Sequence, residues 1–554
     1  MTQRRTAWRS VLVSAVALML FAAACSSGSS GDGGANSGNG GGGGFRSGEP
    51  QQGGTLRYGV EAETSGLNPT TDRFAAAGYL MGNAVFDRIA YLDENGEYSP
   101  YLAESITPND DLTEWTVVLR SGVKFHDGTL LTSEALKLTL ELAIADPLVG
   151  LAIKPLFRAE NPVEIVDELT ARYYMAEPNA HFPLYSTSQV GFIASPTWLR
   201  AAAENPDLNQ EPVGTGPFIF KSRSQDSSTT FERNPDWWNG DVYLDEIEFV
   251  VQTDAARRYD QLVAGELDVM HTSDPAVIKL VRNDSDLTSV EDDTGEEGFV
   301  MINTEATPFD DLRVRQALAF ATPKKDYLEL ITQGVTDPAD SMFHPDLKWN
   351  NPKVKQEADQ PEKAKELAEE YCAENPQNCE GDKIKMQFKY TGPSVQQDLI
   401  ADTLINGWQD AFVIERDQVL QDDYITQVAL GDYQVVTWRQ YGTADPEGEF
   451  VWHDCRSISP VLSINWTRNC NEETQQLLED QRSSSDEAER IDTWQQISQN
   501  IHDDYIYIFL NHTDWMIAAQ PYVGGGLDSD FPEGGLKTAA SNGSHSVSQM
   551  WLDK

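Results

Sequence analysis

A serine and a lysine three residues apart stand at a spacing that supports nucleophilic catalysis. Ser121 and Lys124 match the S-x-x-K pattern, in which a lysine activates a serine nucleophile at the start of a helix. Here the pattern lies between a strand-like segment and an Asp-Gly turn, and no K-T-G segment follows it. The sequence also lacks the G-x-S-x-G, H-E-x-x-H and phosphate-loop motifs. The unsuitable position of S-x-x-K and the lack of other catalytic motifs favour a protein that is not an enzyme. An exported serine hydrolase that uses Ser121 and Lys124 is the alternative.

The histidines and acids give no sign of a metal or cofactor site. The eight histidines are scattered, and none stands three or four residues from another. No C-x-x-C pair or other zinc-ligand spacing is present. We therefore expect no metal and no cofactor.

Cys25 is a candidate for acylation because of the residues around it. Three arginines precede an apolar run over 11–24 that ends in three alanines, and glycine and serine follow the cysteine. The segment resembles a bacterial lipoprotein signal peptide over 1–24, with Cys25 as the first mature residue. The run is shorter than the roughly 20 residues of a membrane-spanning helix, so lipid would hold the protein on the extracytoplasmic face of the membrane. An ordinary secretory signal with a chance cysteine is the alternative.

A segment of small and polar residues follows Cys25. Residues 25–49 are mostly glycine, serine and asparagine, and they offer almost nothing apolar to bury. We predict a disordered tether over 25–49 between the lipid anchor and the folded body.

Four further cysteines suit an exported chain. Cys372, Cys379, Cys455 and Cys470 form an even set, and two local disulfides are the simplest arrangement. We predict the pairs Cys372–Cys379 and Cys455–Cys470. Four cysteines allow three pairings, and the sequence alone does not choose among them.

Length and charge limit the possible classes of protein. The chain has 554 residues and a net charge of −47, and removal of residues 1–24, with three arginines and no acid, leaves −50. Such a charge excludes nucleic acid as a natural partner. The roughly 500 residues after the tether exceed what one hydrophobic core supports, so we expect at least two lobes.

Strand and helix patterns alternate along the chain and predict an α/β fold. Residues 115–120 alternate apolar and polar side chains as a half-buried strand does, and Asp127-Gly128 then forms a turn. Thr132 or Ser133 would cap the helix that follows. Other predicted strands cover 247–251, 299–302, 435–438 and 505–510, and other predicted helices cover 313–320 and 361–371.

Several motifs then occur in one order along almost the whole mature chain. They are LNP at 67–69, PYLAES at 100–105, WTVVLRSGVKFHDGTLLT at 115–132, GTGPF at 214–218, RNPDWWNG at 233–240, AGELD at 264–268 and PFDDLRVRQAL at 308–318. Together they resemble the family 5 solute-binding proteins, the oligopeptide and dipeptide receptors of ABC importers.

The resemblance implies a two-lobed periplasmic-binding-protein-like fold of class II, cluster C, with three domains. The first domain would be split, and the second would be inserted in it. The implied division is domain I over 50–92, 212–305 and 523–554, domain II over 93–211 and domain III over 306–522.

The resemblance also implies a function. The protein would be a monomer that captures an extracytoplasmic peptide between its lobes and delivers it to a membrane permease with ATPase subunits. A non-peptide solute, such as an oligosaccharide or a metal chelate, is the second interpretation within the same transport role.

Residues on both sides of the cleft follow from the same resemblance. The expected ligand-binding residues are Phe74, Ala75, Ala76, Trp438, Arg439, Tyr441 and Asp445. Peptide-binding members place an acid a few residues before an Asp-Pro or Glu-Pro step, where it neutralises the ligand's amino terminus. This chain has Tyr-Gly-Thr-Ala over 441–444 in front of Asp445, so either Asp445 takes that role or the ligand lacks a free amine. Asp445 as a turn former before Pro446 is the structural alternative.

Overall fold

A computed structural model describes residues 45–92, 97–292, 296–441, 445–526 and 542–554. The predicted signal peptide, Cys25 and the predicted tether up to residue 44 lie outside these residues. Phe45 is buried, and the backbone N–H of Arg46 donates to the carbonyl of Val523 at 3.0 Å. Residues 45–49 of the predicted tether therefore belong to the folded body, because the Phe45 ring packs against the core.

The described residues form twenty-one strands. In chain order they are β1 (Thr55–Val60), β2 (Ala90–Leu92), β3 (Tyr98–Pro100), β4 (Ala103–Pro108), β5 (Glu114–Leu119), β6 (Val163–Ile165), β7 (Thr170–Tyr174), β8 (Phe218–Ser224), β9 (Ser228–Arg233), β10 (Glu246–Val251), β11 (Val269–Thr272), β12 (Thr288–Asp292), β13 (Glu296–Ile302), β14 (Cys379–Glu380), β15 (Lys383–Thr391), β16 (Phe412–Val419), β17 (Val435–Tyr441), β18 (Tyr507–His512), β19 (Trp515–Ala519), β20 (Val523–Gly524) and β21 (Trp551–Leu552).

The same residues form fifteen α-helices, with short 3₁₀ turns between some of them. The helices are α1 (Ala76–Val85), α2 (Ser133–Ala145), α3 (Val149–Ile153), α4 (Phe182–Thr187), α5 (Pro196–Glu204), α6 (Ala255–Val263), α7 (Pro275–Arg282), α8 (Leu312–Ala321), α9 (Lys324–Leu330), α10 (Pro361–Glu374), α11 (Val395–Trp408), α12 (Gln421–Leu430), α13 (Phe450–His453), α14 (Glu472–Ser483) and α15 (Glu487–Asp503). None of the helices in this part of the chain has the length and apolarity to cross a membrane.

The first sheet is mixed and has seven strands in the order β12-β19-β11-β1-β10-β9-β8. Its central strand β1 runs parallel to β10 and β11, and the outer pairs are antiparallel. Because side chains alternate along each strand, Tyr58 and Phe249 join a core on one face. Met270 and Met516 pack with helices α6 and α7 on the other face.

The second sheet is antiparallel, with the order β4-β5-β7-β6. Strand β5 has the alternating burial that the sequence predicts over 115–120. The predicted turn at Asp127-Gly128 and the helix behind it are also observed, as α2. Thr132 holds the N-cap position of α2, but its side chain makes no capping hydrogen bond.

The third sheet has the order β14-β15-β17-β13-β18, with β16 paired to β15. Val300 and Ile302 of β13 pack into a core with helices α8, α10 and α11. Phe299 and Met301 face the opposite way, into a core that is continuous with that of the second sheet. The predicted strands over 247–251, 299–302 and 435–438 lie within β10, β13 and β17, and the predicted helices over 313–320 and 361–371 lie within α8 and α10. The strand predicted over 505–510 is observed as β18, which begins two residues later because Tyr505 belongs to a turn with positive φ.

The chain crosses between the first and third sheets at two places. One crossing joins β12 to β13 after Asp292, and the other joins β18 to β19 between His512 and Trp515. We call the body built on the first sheet the first lobe and the body built on the third sheet the second lobe.

Both predicted disulfides are present, in the second lobe. Cys372 at the end of α10 is joined to Cys379 of β14, with Cα atoms 5.8 Å apart. Cys455 is joined to Cys470, with Cα atoms 5.0 Å apart. Each bond links segments close in sequence, as predicted.

Candidate ligand-binding site

A cavity of about 970 Å³ lies between the two lobes. The first lobe lines it with the N-terminal part of α6, the start of α7 and the residues between β11 and α7. The second lobe lines it with parts of β13 and β17 and with the start of α11. The volume is at the upper end of the range for small-molecule sites, about 300–1,000 Å³, and it leaves room for a short peptide.

A hydrogen bond joins the lobes across this cavity. The Arg439 guanidinium donates to the Ser273 hydroxyl at 3.0 Å, and both residues line the cavity. Arg439 belongs to β17, and Ser273 follows β11 directly. The contact holds the lobes together at the edge where strands of the two sheets face each other.

Arg439 also forms an ion pair with Glu296 of β13. The Trp515 indole N–H donates to the Glu296 carboxylate at 2.7 Å, and the Arg439 guanidinium lies 5.7 Å from the Trp515 ring centre. Burial raises the pKa of Glu296 to about 7, although Arg439 and the indole favour its charged form. The side chain of Arg439 is still 44% exposed, so it can also meet an acidic group of a ligand.

Trp438 forms an aromatic wall of the cavity. Its ring stacks on Tyr424 of α12 with centroids 5.6 Å apart, and both rings line the cavity. Its ring also meets Trp466 edge-on, with centroids 4.5 Å apart. These contacts fix the orientation of the half-buried indole and leave part of it available for stacking against a ligand.

Three of the predicted ligand-binding residues line the cavity: Ala75, Trp438 and Arg439. Phe74 and Ala76, the neighbours of Ala75, do not line the cavity. Phe74 is fully buried and packs edge-on against Tyr79 at 5.8 Å, and Ala76 is buried at the start of α1. A helix begins at this point, so adjacent residues face different directions, and any role of Phe74 and Ala76 in binding would be indirect.

Asp445 does not line this cavity. Arg490 of α15 donates to its two carboxylate oxygens at 2.7 and 3.0 Å, and Asp445 also caps the 3₁₀ turn Pro446–Glu449. Burial opposes the charge, but Arg490 outweighs it and holds the pKa of Asp445 below its ordinary value. The backbone of Tyr441 pairs with that of Glu296 at the end of β17. The side chain of Tyr441 and residues 442–444 lie outside the described part of the chain.

Ser121 and Lys124 do not form the arrangement that the hydrolase alternative needs. Both side chains are exposed on a turn after β5, and the next α-helix, α2, begins only at Ser133. Among the described residues, no three or more His, Cys, Asp or Glu side chains form a group that could hold a metal ion.

Several cavity residues were not predicted from the sequence. Glu296 lines the cavity at the start of a buried strand, and the second acid beside it, Glu297, makes a sequence pattern that could have indicated a site. The position of Ser273 in the cavity could not be predicted from the neighbouring sequence, because its contact with Arg439 forms only where the two lobes meet.

Comparison with known proteins gives a consistent result. The family model described as bacterial extracellular solute-binding proteins, family 5 Middle, matches residues 97–457. Di/tripeptide-binding protein 2 of Pseudomonas aeruginosa (strain UCBPP-PA14) is 25% identical over 509 residues, which cover 85% of this chain and 92% of the relative.

Two solved structures have a similar fold. The periplasmic binding protein DppA from Helicobacter pylori, in complex with the peptide STSA, matches with a TM-score of 0.78 at 20% identity, covering 91% of this chain and 99% of its own. The binding protein AgaA from A. tumefaciens R10, in complex with agropinic acid, also has a TM-score of 0.78, at 21% identity and with coverage of 90% and 99%.

Proposed function

Because the chain belongs to the bacterial extracellular solute-binding proteins of family 5, we propose that it is the substrate-binding protein of an ABC importer and binds a peptide in the cavity between its lobes. The observation that carries the proposal is the cavity itself, which is about 970 Å³ and lined by both lobes. The protein would close around the solute, deliver it to a membrane permease with ATPase subunits, and perform no chemistry.

Contacts between the two lobes support a mechanism in which the protein closes around its ligand. The contact between Ser273 and Arg439 stabilises the arrangement in which the lobes meet. A ligand that touches both lobes binds this closed arrangement more tightly than an open one, and so shifts the population toward it. Trp438 would stack on the ligand and Arg439 would meet an acidic group of it, such as a peptide carboxylate.

Thermal unfolding of the full chain with a dipeptide library tests this function. Ligand at 100 times its dissociation constant stabilises the folded protein by about 2.7 kcal/mol, which raises the melting temperature. Hydrolysis products in the same samples would contradict the proposal, as would the absence of any shift across the library. Trp438→Ala should reduce the shift, whereas Trp198→Ala, at a buried position away from the cavity, serves as the control for lost stability alone.

A non-peptide solute is the second candidate, and AgaA, with agropinic acid, supports it. Asp445 is already paired with Arg490, so it is not positioned to neutralise a peptide amine in the large cavity. Mass spectrometry of the solute retained through purification distinguishes the two candidates.

We propose lipid attachment at Cys25, a monomeric state and the three-domain division given above. Two of its boundaries, at 305/306 and 522/523, would move to the two crossings near residues 292–296 and 512–515, because β13 belongs to the third sheet and β19 to the first. Cys25→Ser should abolish labelling by a radioactive fatty acid and release the protein from the membrane fraction. Labelling that persists in the variant would contradict the anchor.

A further inference from the structure

A second, much smaller cavity lies behind the aromatic wall of the first. Its volume is about 20 Å³, and it shares Trp438 and Phe299 with the large cavity, so these two side chains separate the cavities. Two acids line it: Glu297 of β13, which is 2% exposed, and Glu449 at the start of α13, which is 4% exposed.

Neither carboxyl group has a partner among the described residues. Only burial and other acids act on Glu297, and only burial acts on Glu449, with no hydrogen bond or cation to offset either. No lysine or arginine lines this cavity within the described chain, and burial lowers the pKa of His453 to about 4, so its ring is neutral at pH 7. Buried acids without a counter-charge are costly.

Most of the other lining side chains are aromatic, and Gln440, Met301 and Met342 complete the lining. Trp466 meets Trp438 and Trp452 with ring centroids 4.5 and 4.6 Å apart, and Tyr507 meets Phe299 at 4.7 Å. Aromatic rings attract cations to their faces, most strongly when water is excluded. Acids and aromatic rings around one enclosed space form a site for a cation.

The volume selects the kind of cation. A cavity needs about 10–15 Å³ by this measure to hold one water molecule, so 20 Å³ holds one group of that size. A primary ammonium group is about as large as water and donates three hydrogen bonds. A trimethylated ammonium would not fit without displacement of the walls.

We propose that Glu297 and Glu449 bind the primary ammonium group of the solute held in the large cavity, with its carbon chain passing between Trp438 and Phe299. The inference rests on the proposed function, because it needs a solute in the cleft. It adds that the solute carries a primary ammonium group.

Binding of the ammonium would be linked to loss of protons from the acids. Burial raises the pKa of Glu449 to about 8, and burial together with Glu449 raises that of Glu297 well above its ordinary value. The other titratable groups near the pair are Glu296 beside Glu297 on β13, His453 of α13 and Tyr507 of β18. An ammonium favours the ionised carboxylates, so its arrival releases protons to solvent at pH 7.

Isothermal titration calorimetry of the full chain with three probes tests the proposal. Ala-Ala carries only an amino-terminal ammonium, N-acetyl-Ala-Lys only a side-chain ammonium, and N-acetyl-Ala-Ala none. At least one ammonium probe should bind ten times more tightly than N-acetyl-Ala-Ala and release protons, measured in two buffers of different ionisation enthalpy. The probe that does so identifies the source of the ammonium.

The variants show whether this preference depends on the small cavity. Glu297→Gln with Glu449→Gln should reduce it to less than twofold and abolish proton release, and each single variant should reduce it in part. Glu305→Gln removes an exposed acid just beyond the end of β13 and should retain the preference in full. Melting temperatures confirm that each variant is folded.

Two results would overturn the inference while the proposed function stands: equal binding of all three probes, or a preference that survives in the double variant. If none of the probes binds, the proposed function fails for peptides and this inference fails with it.

Discussion

Replacement of Glu449 by glutamine should stabilise the folded protein, and more so as the pH rises. Burial raises the pKa of this carboxyl from 4.5 to about 8. Between those pH values the unfolded chain is ionised at Glu449 and the folded protein is not. Folding then takes up a proton, so the stability of the wild type falls as the pH rises through this window. Glutamine has the same shape and does not ionise.

The size of the effect follows from the shift in pKa. One pKa unit corresponds to about 1.4 kcal/mol. At pH 4.5 the variant and the wild type should have nearly equal free energies of unfolding. The advantage of the variant should grow by about 1.4 kcal/mol per pH unit and reach a value on the order of 4 kcal/mol at pH 8.

Urea unfolding followed by tryptophan fluorescence at pH 5, 6.5 and 8 measures this advantage. The matched control is Glu447→Gln, two residues away, because Glu447 is also buried but accepts hydrogen bonds from Arg482 at 2.6 Å and Gln481 at 2.7 Å. The variant leaves the buried Arg482 guanidinium without this counter-charge and should destabilise the protein by about 3–5 kcal/mol. The reasoning is refuted if the advantage of Glu449→Gln is independent of pH, or if the variant is the less stable protein at pH 8.

Three further predictions concern single contacts. Asp445→Asn should lower the free energy of unfolding by about 3–5 kcal/mol, because it leaves the Arg490 guanidinium buried without its counter-charge; urea unfolding that differs from wild type by less than 1 kcal/mol would contradict this. Replacement of both Cys455 and Cys470 by serine should cost about 3 kcal/mol, as expected for a closed loop of 15 residues, and an unchanged melting temperature would show that the bond contributes nothing. Ser273→Ala should weaken ligand binding about fivefold in calorimetry, because one hydrogen bond between the lobes is worth about 0.5–1.5 kcal/mol. It should lower the free energy of unfolding by no more than that amount, and loss of stability without loss of affinity would argue against a role in closure.

Local sequence patterns predicted the elements of this fold well. Apolar residues alternate along β5 and recur at helical spacing along α10 because one face of each element is buried. A few adjacent residues are enough to show such a pattern. The disulfide pairs followed from short separations along the chain, which favour closure of small loops.

The candidate site was predicted only in part, because most of it depends on residues far apart in sequence. The resemblance to the family 5 proteins placed Trp438 and Arg439 at the cleft, and both line the cavity. Asp445 could not be assigned to its ion pair, since its partner Arg490 comes from a helix that packs on it only in the folded protein. Glu297 and Glu449 come from different elements, and nothing local to either indicates that they share one enclosed cavity.

The central claim is that a solute is held between the two lobes. A crystal structure of the full chain with its retained solute, or with a dipeptide that raises its melting temperature, tests this claim most directly. We predict electron density for the ligand inside the large cavity, in contact with Trp438 of the second lobe and with residues near Ser273 of the first. Density for the ligand on an outer surface, or against one lobe alone, would contradict the account.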